Sequence, residues 1–361
     1  MTTIYDPHHP LYLDEADTRK ELERVYDLCH GCRLCFKFCP SFPTLFDYID
    51  QHDDQDAGKM TPAQQDHVAD ECFQCKLCYI NCPYIPSLHE WALDFPRLML
   101  RTDAMRRANG HMSTRNKVTT AVMGRTDALG KAATSVSVVT NVVMGAKPGS
   151  LIRKVVEKTA GISSVRMLPP FAKTRFSTWF KRRPKIRLNN PKAKVAVFPT
   201  CLVEYQDPSI GQDLIKVYEH NGIECTIADN AACCGAPYLH SGDMATFTKV
   251  AAKNVANLAA EVRKGNDIVV PQPTCSYVLK KDYLDYVGGP DAQLVSENTY
   301  DAAEYLMKIH KTEGQSLELD FKGHVPETIT YHTPCHLRAQ NIGLKSRDLM
   351  KLTGAKIKLI Q

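Results

Sequence analysis

Cys29-x2-Cys32-x2-Cys35-x3-Cys39-Pro40 returns 43 residues later as Cys72-x2-Cys75-x2-Cys78-x3-Cys82-Pro83. Three thiols at three-residue spacing line the inside of one tight loop. Structural zinc favours two Cys-x2-Cys pairs or a mixture with histidine, and neither run has that form. Disulfides need an oxidising compartment, and the polar stretch Met1–Pro10 has no apolar leader segment. Two copies of this run point to two cubane 4Fe–4S clusters.

The runs resemble those of bacterial two-cluster ferredoxins, and the resemblance implies crossed ligation. The cysteine before proline leaves its own loop and reaches the other cluster. Cys29, Cys32, Cys35 and Cys82 would then hold one cluster, and Cys72, Cys75, Cys78 and Cys39 the other. Around them, Asp14–Leu28 carries Leu22, Val25, Tyr26 and Leu28 at helical spacing. Tyr48–Met60 reads as an acidic, polar connection. Thr61-Pro62-Ala63-Gln64 reads as a helix start, and Leu88–Leu100 as a short closing helix.

The chain has 361 residues, enough for two domains or slightly more. Its net charge of +5 conceals a block, Arg101–Asn190, with nineteen Lys and Arg against three Asp and Glu. Leu151, Ile152, Val155 and Val156 alternate there with Arg153, Lys154 and Lys158. Met167–Phe180 adds Phe171, Phe176, Trp179 and Phe180 ahead of Lys181-Arg182-Arg183. Basic amphipathic helices with aromatics suit an anionic membrane surface or an acidic partner. The competing reading is a solvated basic linker over the acidic remainder of the chain, and nothing else in the sequence supports nucleic acid. The least polar stretch, Ala132–Ala146, is too short and too polar to span a bilayer. The expected location is cytoplasmic, or peripheral on the inner face of the cytoplasmic membrane.

From Lys192 onward strands and helices alternate: strands at Val195–Phe198, Ile223–Ala228 and Asp267–Pro271, helices at Ile210–His220 and Ala245–Lys264. This rhythm predicts a parallel α/β sheet with right-handed crossovers. A duplication runs through it at an offset of 134 residues. Ala196–Cys201 parallels Thr330–Cys335, Gly211–Tyr218 parallels Lys345–Thr353, and Ile223–Ile227 parallels Lys356–Gln361. The counterpart of Cys233-Cys234-Gly235 would fall near residue 367, so the second copy is expected to be incomplete within this chain. Cys225 reads as a core residue, His332 and His336 as ordinary hydrogen-bonding groups, and Gly288-Gly289-Pro290 as a turn.

Cys201, then 31 residues, Cys233-Cys234-Gly235, then 36 residues, Gln272-x2-Cys275 resembles the cysteine-rich CCG module. That module occurs in heterodisulfide reductase subunits, in a subunit of anaerobic glycerol-3-phosphate dehydrogenase, and in the iron–sulfur subunits of glycolate and lactate oxidation systems. Gln272 departs from the module, standing where its penultimate cysteine belongs, and an amide is a poor ligand in a sulfide cluster. Cys201, Cys233, Cys234 and Cys275 are the candidate ligands of a third cluster; the competing reading makes them buried small apolar residues.

The expected architecture is α+β and α/β: a two-cluster ferredoxin-like, mainly helical domain over 1–100, a basic amphipathic helical linker over 101–190, and a parallel α/β CCG domain over 191–361. No Walker loop or dinucleotide fingerprint is present, so a flavin or nicotinamide would sit on a partner. The resemblance implies an electron-transfer subunit that relays electrons from a flavin-containing dehydrogenase through its clusters to a quinone or a disulfide. A catalytic heterodisulfide reductase and a nucleic-acid-binding iron–sulfur sensor are the alternatives.

Overall fold

The computed structural model describes residues 5–184, 186, 188–228, 231 and 233–360. Met1–Ile4 of the polar opening stretch, Lys185 and Arg187 of the basic block, and Gln361 of the last expected strand lie outside the described residues. The chain divides into two compact units. One comprises Met1–Thr114, Ala236–Thr248 and Thr333–Gly343; the other comprises Arg115–Gly235, Lys249–His332 and Leu344–Gln361.

The first unit is helical. Its opening helix, Glu15–Cys32, starts where the Asp14 side chain accepts the Asp17 N–H and where acidic residues occupy the first turn. It buries Leu22, Val25 and Tyr26 and runs four residues past the expected end at Leu28, carrying Cys29 and Cys32 on its last turn. It stops only where Arg33 turns left-handed at φ 52° and returns its N–H to the Cys29 carbonyl. The next helix, Ser41–Asp50, overlaps the start of Tyr48–Met60, which the sequence presents as one polar connection. It drives Phe42, Leu45, Phe46 and Ile49 into the same core.

Thr61 and Gln64 form a capping box at the start of Pro62–Asp70, as the sequence suggests. The closing helix differs from expectation. It is Phe95–Ala108, capped by Asp94 on the Arg97 N–H with Pro96 in its first turn, while residues 88–94 are irregular. Pro96 suits a first turn and not a helix interior, so that residue excludes a helix over 88–100. Arg101 of the basic block lies inside this helix with its side chain fully buried, donating to the carbonyls of Tyr12 and Leu11.

The second unit holds the sheet. Strands β1 (Ala193–Val197), β2 (Ile223–Ile227), β3 (Asp267–Val270) and β4 (Thr299–Asp301) are ordered β2-β1-β3-β4, every neighbouring pair parallel. Val195, Ala196, Val197, Ile268, Val269 and Val270 are fully buried, as a parallel sheet covered on both faces requires. Strands β5 (Thr328–Tyr331) and β6 (Lys356–Leu359) form a separate parallel pair. The duplication is visible here. β1 leads through Cys201–Tyr205 and Pro208–His220 to β2, and β5 leads through Cys335–Ala339 and Lys345–Lys351 to β6. Gly288-Gly289-Pro290 is a helix start rather than a free turn, with Pro290 in the first turn of Gly289–Glu297.

The middle region is helical in pieces: Thr114–Gly124, Thr126–Ser135, Ser137–Met144, Leu151–Ala160 and Phe176–Arg182. Its aromatic half is core. Phe176 is fully buried, and Trp179 and Phe180 pack against the same cluster as Val195 and Ile215. Arg183 lies over the Phe180 ring and pairs with Glu219 at 2.6 Å. Arg153, part of a basic face in the sequence pattern, is buried and donates to the carbonyls of Ser163 and Arg166. Leu151 and Val155 of the same helix stay exposed, at 81% and 61%. Among the described residues no helix is long and apolar enough to cross a membrane.

Candidate iron–sulfur sites

The two cysteine runs interleave within the first unit. Cys29, Cys32, Cys35 and Cys82 line one small apolar cavity together with Leu28, Phe42 and Leu93, so the last cysteine of the second run joins the three-cysteine loop of the first. Burial, and then the charges of Cys35, Cys82 and Cys32, push the Cys29 thiol up. Burial followed by Cys82, Cys32 and Cys39 pushes Cys35 to about 12. The second grouping mirrors the first. Burial raises Cys72 to about 12, with Cys39 and Cys75 adding to it; burial raises Cys39, with Cys75 again acting on it. Cys78 is raised by burial and by Cys72, Cys35, Cys75 and Cys29, so its thiol stands where the two groupings adjoin.

Buried thiols that raise one another have no reason to ionise unless a cationic core draws them together. All eight are free cysteines. The backbone is already arranged to serve sulfur acceptors: Gln74 donates its N–H to Cys72 at 3.5 Å, and Tyr84 donates to Cys82 at 3.4 Å. Left-handed backbone at Arg33, Gln74 and Lys76 supplies the tight curvature of the loops. Among the described residues no three His, Cys, Asp or Glu converge on a single ion. A cubane asks for something else, since its four thiolates bind four different irons and stand apart by the width of the core. The donor set fits that group.

The second unit gathers the other candidate thiols at the carboxyl ends of three parallel strands, the edge where open α/β sheets place their ligands. Cys201 opens the helix after β1, Cys233 and Cys234 follow β2, and Cys275 lies in the helix after β3. Hydrogen bonds from Cys201 and Cys234 lower the Cys233 thiol well below its usual range. The two donors are pushed up correspondingly, Cys234 also by its bond with Cys275. The Cys275 thiol donates to Gln272 Oε1 at 3.6 Å, so the residue that departs from the module faces the same group of sulfurs. Cys225 lies on β2 and packs against the core, as expected.

Residues that the sequence does not single out build the shell around these thiols. Asp127 accepts the Cys233 N–H at 2.8 Å and the Tyr205 hydroxyl at 3.0 Å. Asn254, fully buried, donates to the Cys233 carbonyl at 3.1 Å and to the Tyr283 hydroxyl at 2.9 Å; Tyr283 donates in turn to the Cys234 carbonyl at 2.9 Å. Gly130 lets the Asp127 helix approach, because a Cβ there would lie 2.5 Å from the Tyr205 ring. The one sequence signal is the rarity of Asp127, one of three acids in the basic block. Asp127 and Tyr205 also line a cavity of about 1110 Å³ with Lys131, Arg175 and Lys253.

Residues 21–83 match the 4Fe-4S dicluster domain, and residues 195–280 match the cysteine-rich (CCG) domain. The chain is similar to a subunit of the anaerobic glycerol-3-phosphate dehydrogenase of Escherichia coli (strain K12), 27% identical over 251 residues that cover 69% of this chain and 61% of that protein. It is 29% identical to a subunit of the fumarate reductase (CoM/CoB) of Methanothermobacter marburgensis over 45% of this chain and 29% of that one. Lactate utilization protein A of Bacillus pumilus is 31% identical over 40% of this chain and 58% of its own length. The chain thus spans about three-fifths of the Escherichia coli relative. No solved structure matches it. The chain carries iron–sulfur domains of the kind found in subunits of oxidoreductase complexes.

Proposed function

We propose that this chain is an electron relay. It takes electrons from a flavin-containing dehydrogenase partner, passes them through two 4Fe–4S clusters and delivers them to a quinone or disulfide acceptor. The observation that supports it most is the cavity shared by Cys29, Cys32, Cys35 and Cys82, with Cys39 beside Cys72 and Cys75. Each cluster, when bound, supplies one-electron chemistry. The chain supplies the rest. Cys29, Cys32, Cys35 and Cys82 would hold one cluster, Cys72, Cys75, Cys78 and Cys39 the other. Leu28, Phe42 and Leu93 line the first site, and the N–H groups of Gln74 and Tyr84 would stabilise the thiolates of Cys72 and Cys82.

In the second unit, Cys201, Cys233, Cys234 and Cys275 would hold a third cluster, with Gln272 outside the ligand set. The adjoining cavity is lined by both basic and acidic side chains, Lys131, Arg175 and Lys253 with Asp127, Glu204 and Glu224, and would admit a polar acceptor. The exposed Leu151 and Val155, with Lys154 and Lys158 beside them, form a surface that would rest the complex on an anionic membrane.

Anaerobic iron and sulfide analysis with EPR of the dithionite-reduced protein tests the reading, comparing wild type with Cys201→Ser/Cys233→Ser. About twelve irons per chain, falling by about four in the double variant, is the result expected of three clusters. About eight, unchanged by the substitutions, keeps the relay and makes the second unit's thiols structural. Zinc or little iron in the wild type overturns the relay.

A further inference from the structure

The two cysteine loops repeat each other at an offset of 43 residues, so Gly31, Arg33, Leu34 and Phe36 of the first correspond to Gln74, Lys76, Leu77 and Tyr79 of the second. The second loop is covered by its own chain. Thr333–Gly343 belongs to the first unit, and its short helix Cys335–Ala339 packs against Leu77–Asn81 and buries Leu337. His336 Nε2 donates to the Gln74 carbonyl at 3.0 Å. Gln74 and Lys76 are buried, and Leu77 and Tyr79 are half-buried.

The same face of the first loop is open. Leu34 and Phe36 are 56% and 53% exposed, Cys32 is exposed with them, and a Cβ at Gly31 would meet nothing within 4 Å. The apolar side chains there are also held ready. The Phe36 ring stacks on that of Phe46, a core residue, with centroids 6.4 Å apart. Arg33 lies over the same Phe46 ring and pairs with Asp50. An exposed aromatic already fixed in place loses little freedom on binding, which suits a docking anchor.

This face suits a protein. Small ligands take concave clefts that bury most of their surface, whereas Leu34 and Phe36 are open to solvent. An anionic membrane is drawn by a cluster of basic side chains, and the one arginine of this loop is already met by Asp50. The covered twin shows what fits: a short protein element that sets an apolar side chain against the loop. We propose that Leu34 and Phe36 mark the docking surface for the flavin-containing protein that donates electrons, which enter at the cluster of Cys29, Cys32, Cys35 and Cys82. This deepens the relay reading above and depends on it. At the docked face the partner's reduced flavin loses one electron and the cluster gains it, with no bond formed or broken. The second cluster, its loop covered by the chain itself, then stands downstream.

The test uses the full chain, tagged and purified anaerobically with its partners from its own host. Wild type is compared with Leu34→Asp, Phe36→Ser and, as a control on another exposed leucine, Leu319→Asp. Flavin and iron per chain are measured, with EPR of the reduced clusters. Flavin retained per chain is expected to fall about tenfold or more in Leu34→Asp and Phe36→Ser and to hold in Leu319→Asp, with iron and cubane signals equal in all four. Equal flavin in all four overturns the proposal. So does a pair of variants that keep flavin but lose self-association by light scattering or binding to anionic vesicles, which would assign the face to a second copy or to a membrane. Where Leu34→Asp disturbs the cluster, the milder Leu34→Gln decides by the same readings. Failure of the relay reading shows separately, as a wild-type sample lacking two cubane signals or any flavin.

Discussion

Asp127 accepts the backbone N–H of Cys233 at 2.8 Å through Oδ2, while its Oδ1 accepts the Tyr205 hydroxyl at 3.0 Å. One carboxylate therefore holds the loop that carries two candidate ligands. Its position depends in turn on a helix that Gly130 allows to lie against the Tyr205 ring.

Removing that carboxylate leaves the Cys233 N–H without its charged acceptor inside a buried loop. Asp127→Ala is expected to destabilise the second unit by about 1–3 kcal/mol and to lower the retention of any cluster bound there. Trp179, packed on the core of that unit, reports its unfolding by fluorescence in a Trp91→Phe background. A denaturation midpoint equal to that of the parent would show that the bond is dispensable.

The parallel strands are legible in the sequence because burial on both faces leaves an unbroken apolar run, as in Val195–Val197 and Ile268–Val270. The cysteine runs are legible because their spacing is local. What escapes is whatever depends on distant residues. Asp127, Asn254 and Tyr283 are ordinary in sequence and acquire their part only when tertiary packing aims them at the Cys233–Cys234 loop. Phe176, Trp179 and Arg153 read as an exposed amphipathic face because periodicity cannot tell which side of a helix meets a sheet. The hydrogen bond of His336 with the Gln74 carbonyl spans 262 residues and has no local trace.

Asp103 gives the first unit a pH dependence. Burial pushes its carboxyl up to about 7, against the lowering by Arg106; the carboxylates of Asp70 and Asp66 add to the rise. The folded state thus holds a proton that the unfolded chain releases near pH 4. The stability linked to that proton is complete below about pH 4 and is lost as pH rises through about 7. Asp103→Asn should flatten this slope, since Arg106 retains Asp66 at 3.1 Å and Asp70 at 2.7 Å. Anaerobic denaturant titrations across this range, followed by visible absorbance of the clusters, measure it. Parallel slopes for variant and wild type would refute the assignment.

The proposed crossed ligation makes a prediction that single substitutions cannot test. In Cys29→Ala/Cys82→Ala both missing thiols would belong to one cluster, so about four irons should leave and one cubane signal should survive intact. In Cys72→Ala/Cys82→Ala each cluster loses one thiol, and both signals should change. An uncrossed protein would give the opposite pattern, because Cys82 would then share its cluster with Cys72 and the second variant would keep one signal untouched. Iron counts and EPR on this pair of variants therefore decide which thiols act together. The cavity lined by Cys29, Cys32, Cys35 and Cys82 gives the expected answer: the Cys82 thiol leaves its own run for the loop of the first.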